Sequence, residues 1–75
     1  MQTYKNGKTA ILAFKITEES ITIQYKDGRF YLYTRESLGH EKLSEMKKLA
    51  LSGEGLGNFV SNKAARNYAG KWILG

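Results

Sequence analysis

Residues 21 to 35 read ITIQYKDGRFYLYTR, and the pairing of this stretch decides the fold. Apolar residues alternate on both sides of Asp27-Gly28, which predicts two antiparallel strands, Ser20 to Lys26 and Arg29 to Arg35. Asp-Gly favours a two-residue type I′ hairpin loop, in which both central residues take positive φ. That loop pairs Lys26 with Arg29, Tyr25 with Phe30, Ile23 with Leu32 and Ile21 with Thr34. Because side chains alternate faces, Arg29, Tyr31, Tyr33 and Arg35 then share one side of the sheet.

Working outward toward the N-terminus, TAILAFKI (Thr9 to Ile16) places Leu12, Phe14 and Ile16 on one face of a further strand. A turn at Glu18-Glu19 would set Ile16 opposite Ile21 and Phe14 opposite Ile23. One sheet face thus collects Leu12, Phe14, Ile16, Ile21, Ile23, Tyr25, Phe30 and Leu32 as core. The opposite face has rows of Ala13, Gln24 and Tyr31; of Lys15, Thr22 and Tyr33; and of Ile11, Lys26 and Arg29.

Working outward toward the C-terminus, GHEKLSEMKKLALSG carries Leu43, Met46 and Ala50 at helical spacing. Gly53 suits the residue just past that helix. A shorter helix with Leu56, Phe59 and Val60 follows, and KAARNYAGK can add one or two turns. Trp72 and Ile73 of the closing WILG are expected to close the end of the core or to extend the sheet edge. The expected architecture is α+β: a three-stranded antiparallel meander with two or three short helices packed on one face, in a single domain over residues 1–75.

Bulk composition narrows function. Twelve Lys or Arg against seven Asp or Glu give a net charge of +5, which favours acidic partners. Residues 1–36 carry +2 and residues 37–75 carry +3, so a basic patch must be made by folding. The chain has no cysteine and one histidine, His40, which excludes disulfides and thiolate or histidine-rich metal sites. No cofactor is expected. No apolar run approaches the ~20 residues of a membrane span, and the first residues lack the apolar core of a signal peptide. A cytoplasmic location with no membrane partner is the expectation.

The row of Tyr31 and Tyr33 between Arg29 and Arg35, with Lys15, Lys26 and Gln24 beside it, is the main functional lead. Rings and cations on an open sheet suit single-stranded DNA or RNA, since bases stack on the rings while cations meet phosphates. Two other readings stand beside it. The tyrosines can serve packing, or can be buried against a protein partner or a second copy in a homodimer.

Other constellations carry less. SGEGLGN (Ser52 to Asn58) is glycine-rich but follows no strand, lacks the Gly-Lys-Ser/Thr ending of a phosphate-binding loop, and contains Glu54. Helix-end duty explains it better, with Lys63 and Arg66 as anion contacts in the competing reading. Ser37, His40 and Glu41 are neighbours in sequence, whereas a catalytic triad is a geometric arrangement. Ser37 is better read as a helix cap and His40 as solvated, and the chain reads as non-enzymatic. Tyr68 reads as a packing residue with its hydroxyl at the rim.

From about Ser20 to Lys71 the order of features resembles the KTSC domain, a short module found at the C-terminus of some lysyl-tRNA synthetases and in stand-alone small bacterial proteins. The residues that carry the likeness are ITIQYKDGRFYLY with its Tyr-x-Tyr at Tyr31 and Tyr33, MKKLALSGEG, and NFVSNKAARNY. TRESLG stands where a proline often follows Tyr-x-Tyr. The resemblance implies a hairpin followed by helices, with Tyr-x-Tyr as a functional element. Its link to a tRNA-handling enzyme adds to the nucleic-acid reading by association.

Overall fold

The computed structural model describes residues 1–73, so Leu74 and Gly75 of the closing WILG lie outside the described residues. The expected α+β class holds, but the sheet has five antiparallel strands rather than three. They are β1 (Gln2–Thr3), β2 (Ile11–Ile16), β3 (Ser20–Tyr25), β4 (Arg29–Thr34) and β5 (Gly70–Ile73), ordered in space as in sequence. Helices α1 (Arg35–Leu38), α2 (His40–Ser52) and α3 (Leu56–Phe59) follow β4, and α3 runs directly into a π-helical turn at Val60–Ala64.

The two extra strands come from the chain ends. Gln2 pairs with Phe14 on one edge, and Phe30 pairs with Trp72 on the other. The role of Trp72 and Ile73 as a sheet edge is therefore as the sequence suggests, whereas β1 has too short an alternation to be read.

The β2–β3 ladder follows the expected register from Ala13 onward, with Phe14 opposite Ile23 and Ile16 opposite Ile21. The Glu18-Glu19 turn is closed by the Thr17 amide donating to the Ser20 carbonyl at 2.9 Å. Ahead of Ala13 the register shifts, and Ile11 rather than Leu12 turns inward. Leu12 is 41% exposed, so the expectation that it belongs to the core is corrected by a bulge that inserts one residue and reverses the alternation.

The central hairpin departs from expectation by one residue. Ile21 faces Tyr33, Ile23 faces Tyr31 and Gln24 faces Phe30. No residue other than glycine has positive φ among those described, so Asp27 cannot take the first half of a type I′ turn. Lys26, Asp27 and Gly28 instead form a three-residue loop, with the Gly28 amide donating to the Tyr25 carbonyl at 3.1 Å and Gly28 at φ 95°. Asp27 accepts from the Arg29 amide at 3.1 Å, which fixes the exit from the loop.

This single slip exchanges the two faces of β4. Tyr31 and Tyr33 turn toward the helices, while Phe30, Leu32 and Thr34 turn away from them. The core joins Tyr4, Ile11, Phe14, Ile21, Ile23 and Tyr33 of the sheet side to Leu38, Leu43, Met46, Ala50, Leu56, Val60 and Ala64 of the helical side. Tyr4 was not anticipated from sequence; its hydroxyl accepts from the Leu56 amide at 3.4 Å and ties the N-terminal segment to α3.

The helices start and stop as their residues dictate. Thr34 and Ser37 form a reciprocal capping box, each side-chain oxygen accepting from the other residue's amide, at 3.1 Å and 3.0 Å. Gly53 ends α2 at φ 81° and ψ 12°, the left-handed conformation expected of it. No helix among the described residues is long and apolar enough to cross a membrane.

Candidate functional site

The residues singled out from sequence are distributed over both faces and the sheet ends. Gln24 and Lys15 occupy the face that no helix covers, as expected. Tyr31, Tyr33 and Arg29 lie on the helical side, because the three-residue loop shifted β4 by one. Tyr33 is 1% exposed and is part of the core, so the expectation of an open tyrosine row is corrected. Lys26 sits in the loop, where its ammonium donates to the Gly7 carbonyl at 2.6 Å. Arg35 opens α1 and lies 3.5 Å from Glu19. The concentration of four basic residues on the open face is thus replaced by Lys15 alone among its strand positions.

The uncovered face has its own aromatic feature, absent from the sequence reading. Following the registers across the sheet, one row runs Thr3, Ala13, Gln24, Phe30 and Trp72. The next runs Lys15, Thr22, Leu32 and Gly70. Phe30 and Trp72 stack with ring centroids 5.3 Å apart and an interplanar angle of 2°. Trp72 shields Phe30, which is 7% exposed, and is itself 43% exposed. Gly70 sits beside Leu32 with Trp72 close by, which leaves room for the indole over the sheet. No strand position in these two rows is acidic. At the far end of the face, a groove of about 430 Å³ is lined by Leu32, Thr34 and Ser20, with Glu19, Glu36 and Arg35 at its charged rim.

On the helical side the tyrosines make a second cluster. Tyr31 meets Tyr25 edge-on at 5.4 Å, Tyr68 edge-on at 5.3 Å, and Tyr33 in a stacked pair at 6.5 Å. The Arg29 guanidinium lies 5.1 Å from the Tyr25 ring centre and 5.9 Å from that of Tyr31, and the Lys71 ammonium is 5.7 Å from Tyr31. Tyr68 packs at the rim, as its type suggested.

Burial raises the pKa of the Tyr33 hydroxyl well above the ordinary 10.0, and the neighbouring Tyr25 and Tyr31 phenols add to the shift. Tyr25 is raised for the same first reason, with Tyr31 next and Arg29 opposing. The unfolded chain therefore ionises first as pH climbs. Stability should hold below about pH 10 and fall above it, and Tyr33→Phe should flatten that fall. Thermal melts on either side of this pH measure it; equal slopes in wild type and Tyr33→Phe would reject the assignment.

Ser37 and the glycines of SGEGLGN have structural duties. The Ser37 hydroxyl donates to the Thr34 carbonyl at 3.2 Å while serving the capping box, which engages it within the helix start. In SGEGLGN, Gly53 and Gly55 take left-handed turns at helix ends. The Ser52 hydroxyl is held by the Leu49 carbonyl at 3.0 Å and accepts from the Glu54 amide at 3.2 Å. Comparison of the chain with protein-family models, curated proteins and solved structures returned no match.

Proposed function

We propose that the domain is a small non-enzymatic binding module whose uncovered sheet face takes single-stranded DNA or RNA. The observation that carries this reading is the exposed indole of Trp72, stacked on Phe30 on a sheet face without a helical cover. An antiparallel sheet with helices behind it and aromatics in front offers bases a stacking surface. Gln24, Thr22 and Lys15 in the adjoining positions supply hydrogen bonds and one cation. Glu19 and Glu36 at the far end repel phosphate, so a strand would run across the Trp72 and Lys15 end. The resemblance to the KTSC domain agrees with this reading, although its Tyr-x-Tyr is here directed to the helical side.

Trp72 is the only tryptophan, so its emission reports directly on this face. Titration with a mixed-sequence single-stranded oligonucleotide should quench it, less strongly as salt rises. With a labelled oligonucleotide and anisotropy as readout, Trp72→Ala should weaken binding about tenfold, the effect of losing one stacked base. Lys15→Ala should weaken it and lower the salt slope by about one. Unchanged emission at low salt would reject the nucleic-acid reading.

The outer edge of β5 supports a second reading, a protein-interaction or homodimer surface. Ile73 is 63% exposed on this edge strand, beside Trp72. Such an edge can pair with another chain. A doubled mass by light scattering without ligand would favour that reading over the first.

A further inference from the structure

We propose that the tyrosine cluster on the helical side is a site for a phosphate group, held by Arg29 and the hydroxyls of Tyr33, Tyr25 and Ser61. It is separate from the sheet face of Trp72 and does not rest on the nucleic-acid reading. Tyr25, Arg29, Tyr31, Tyr33, Val60, Ser61 and Ala65 line a groove of about 250 Å³ between β4 and the π-helical turn. A π-helical turn often marks a functional position because it widens the helix locally.

The groove contains polar groups that the fold does not use. Tyr33 is almost wholly enclosed, yet its hydroxyl has no hydrogen-bond partner among the described residues, and no fully buried side-chain polar atom there is unpaired. Its hydroxyl therefore keeps some contact with solvent, and Tyr33 is one of the residues that line the groove. A phenol placed this way normally finds a partner, and a ligand oxygen would supply one.

Arg29 is already aimed. Its Nε donates to Asp27 Oδ2 at 2.7 Å, and its Nη1 lies 3.4 Å from the Tyr31 hydroxyl. Anchoring one side of the guanidinium directs the remaining N–H groups toward the tyrosines, where an oxyanion can accept them. The side chain is 40% exposed, so the groove opens to solvent at this point.

The charge pattern selects the ligand. Arg29 and Lys71 stand against the ring of Tyr31, and the one carboxylate beside them, Asp27, leaves the rim net positive, so a cationic ligand would meet like charge. An apolar ligand would strand the hydroxyls and the guanidinium away from water. An oxyanion satisfies both. Phenols are protonated, and thus donors, near neutral pH, and the upward shifts at Tyr25 and Tyr33 act in the same direction.

Calorimetry and amide NMR shifts on the full chain would test this, with inorganic phosphate and a nucleoside 5′-monophosphate titrated separately. Shifts should concentrate at Tyr25, Arg29, Tyr31, Tyr33 and Ser61. Equal affinity for the two ligands would identify the bare phosphate group as the ligand; tighter binding of the monophosphate would identify its ester. Tyr33→Phe keeps the ring and removes the hydroxyl, and should weaken binding about tenfold, as expected for a hydrogen bond to a charged group. Arg29→Gln should weaken it at least as much, while leaving the oligonucleotide response of Trp72 unchanged. Absence of shifts at millimolar phosphate, or wild-type affinity in Tyr33→Phe, would overturn the proposal.

Discussion

Tyr33→Ala is expected to destabilise the domain by about 3 to 5 kcal/mol, the usual cost of emptying a buried aromatic position. A chain of this length has a total stability of about 4 to 11 kcal/mol, so the loss is a large fraction of the whole. The size of the effect follows from position. Tyr33 lies opposite Ile21, which is fully enclosed, and its ring is among the largest completely buried side chains. Denaturant midpoints for Tyr33→Ala and for the exposed control Leu12→Ala would measure it. With a two-residue hairpin loop Tyr33 would face solvent, and its loss would stay within about 0.5 kcal/mol. A small change would therefore reject the three-residue loop and the core described above.

Gly53→Ala is expected to cost about 2 kcal/mol, through two effects that add. Gly53 sits at φ 81°, where a Cβ costs about 1 to 2 kcal/mol. That Cβ would also stand 2.9 Å from the Cβ of Lys5, a root atom that a change of rotamer cannot withdraw. Either the end of α2 or the N-terminal segment must shift, and that segment holds Tyr4 in the core. Gly7→Ala is the matched control, since nothing lies within 4 Å of its added Cβ and it does not have positive φ. Equal midpoints for the two variants would show that neither the conformation nor the contact at Gly53 matters.

Local chemistry made much of the fold legible. Leu43, Met46 and Ala50 are buried because helical spacing forces them onto one side, and Gly53 ends their helix because few other residues tolerate its φ. Asp27-Gly28 was legible only as a hairpin. Glycine serves both a type I′ loop and a three-residue loop, and the sign of φ at Asp27 separates them. That choice depends on the packing of the finished sheet, because burying Tyr33 with Ile21 and Ile23 rewards one register over the other. Leu12 failed for a related reason: a bulge changes the alternation without leaving a mark on composition.

The candidate site was legible in type and misplaced in space. Aromatic rings beside cations were evident, and Tyr31, Arg29 and Tyr33 do cluster, but against the helices. Phe30 was assigned to the core by alternation, and its partner Trp72 is distant in sequence. The signal that could have joined them is the run Gly-Lys-Trp-Ile, short and apolar enough to add a strand beside β4.

The neighbour-to-neighbour order of the sheet also sets a sequence of events in folding. Ladders β2–β3 and β3–β4 close short loops, whereas β5 must return to β4 across the whole helical segment. A roughly tenfold longer loop adds about 2 kcal/mol of closure entropy. The central hairpins can therefore assemble before the helices have placed β5, and Trp72 comes to rest on Phe30 as a late step. As an edge strand β5 can also detach by local opening, so the amides of its ladder should exchange with solvent sooner than those of β3. The surface proposed to meet a strand of nucleic acid is thus assembled from central strands and a late-arriving edge strand of one sheet, and a bound ligand bridging Lys15 to Trp72 would act as a latch on that strand.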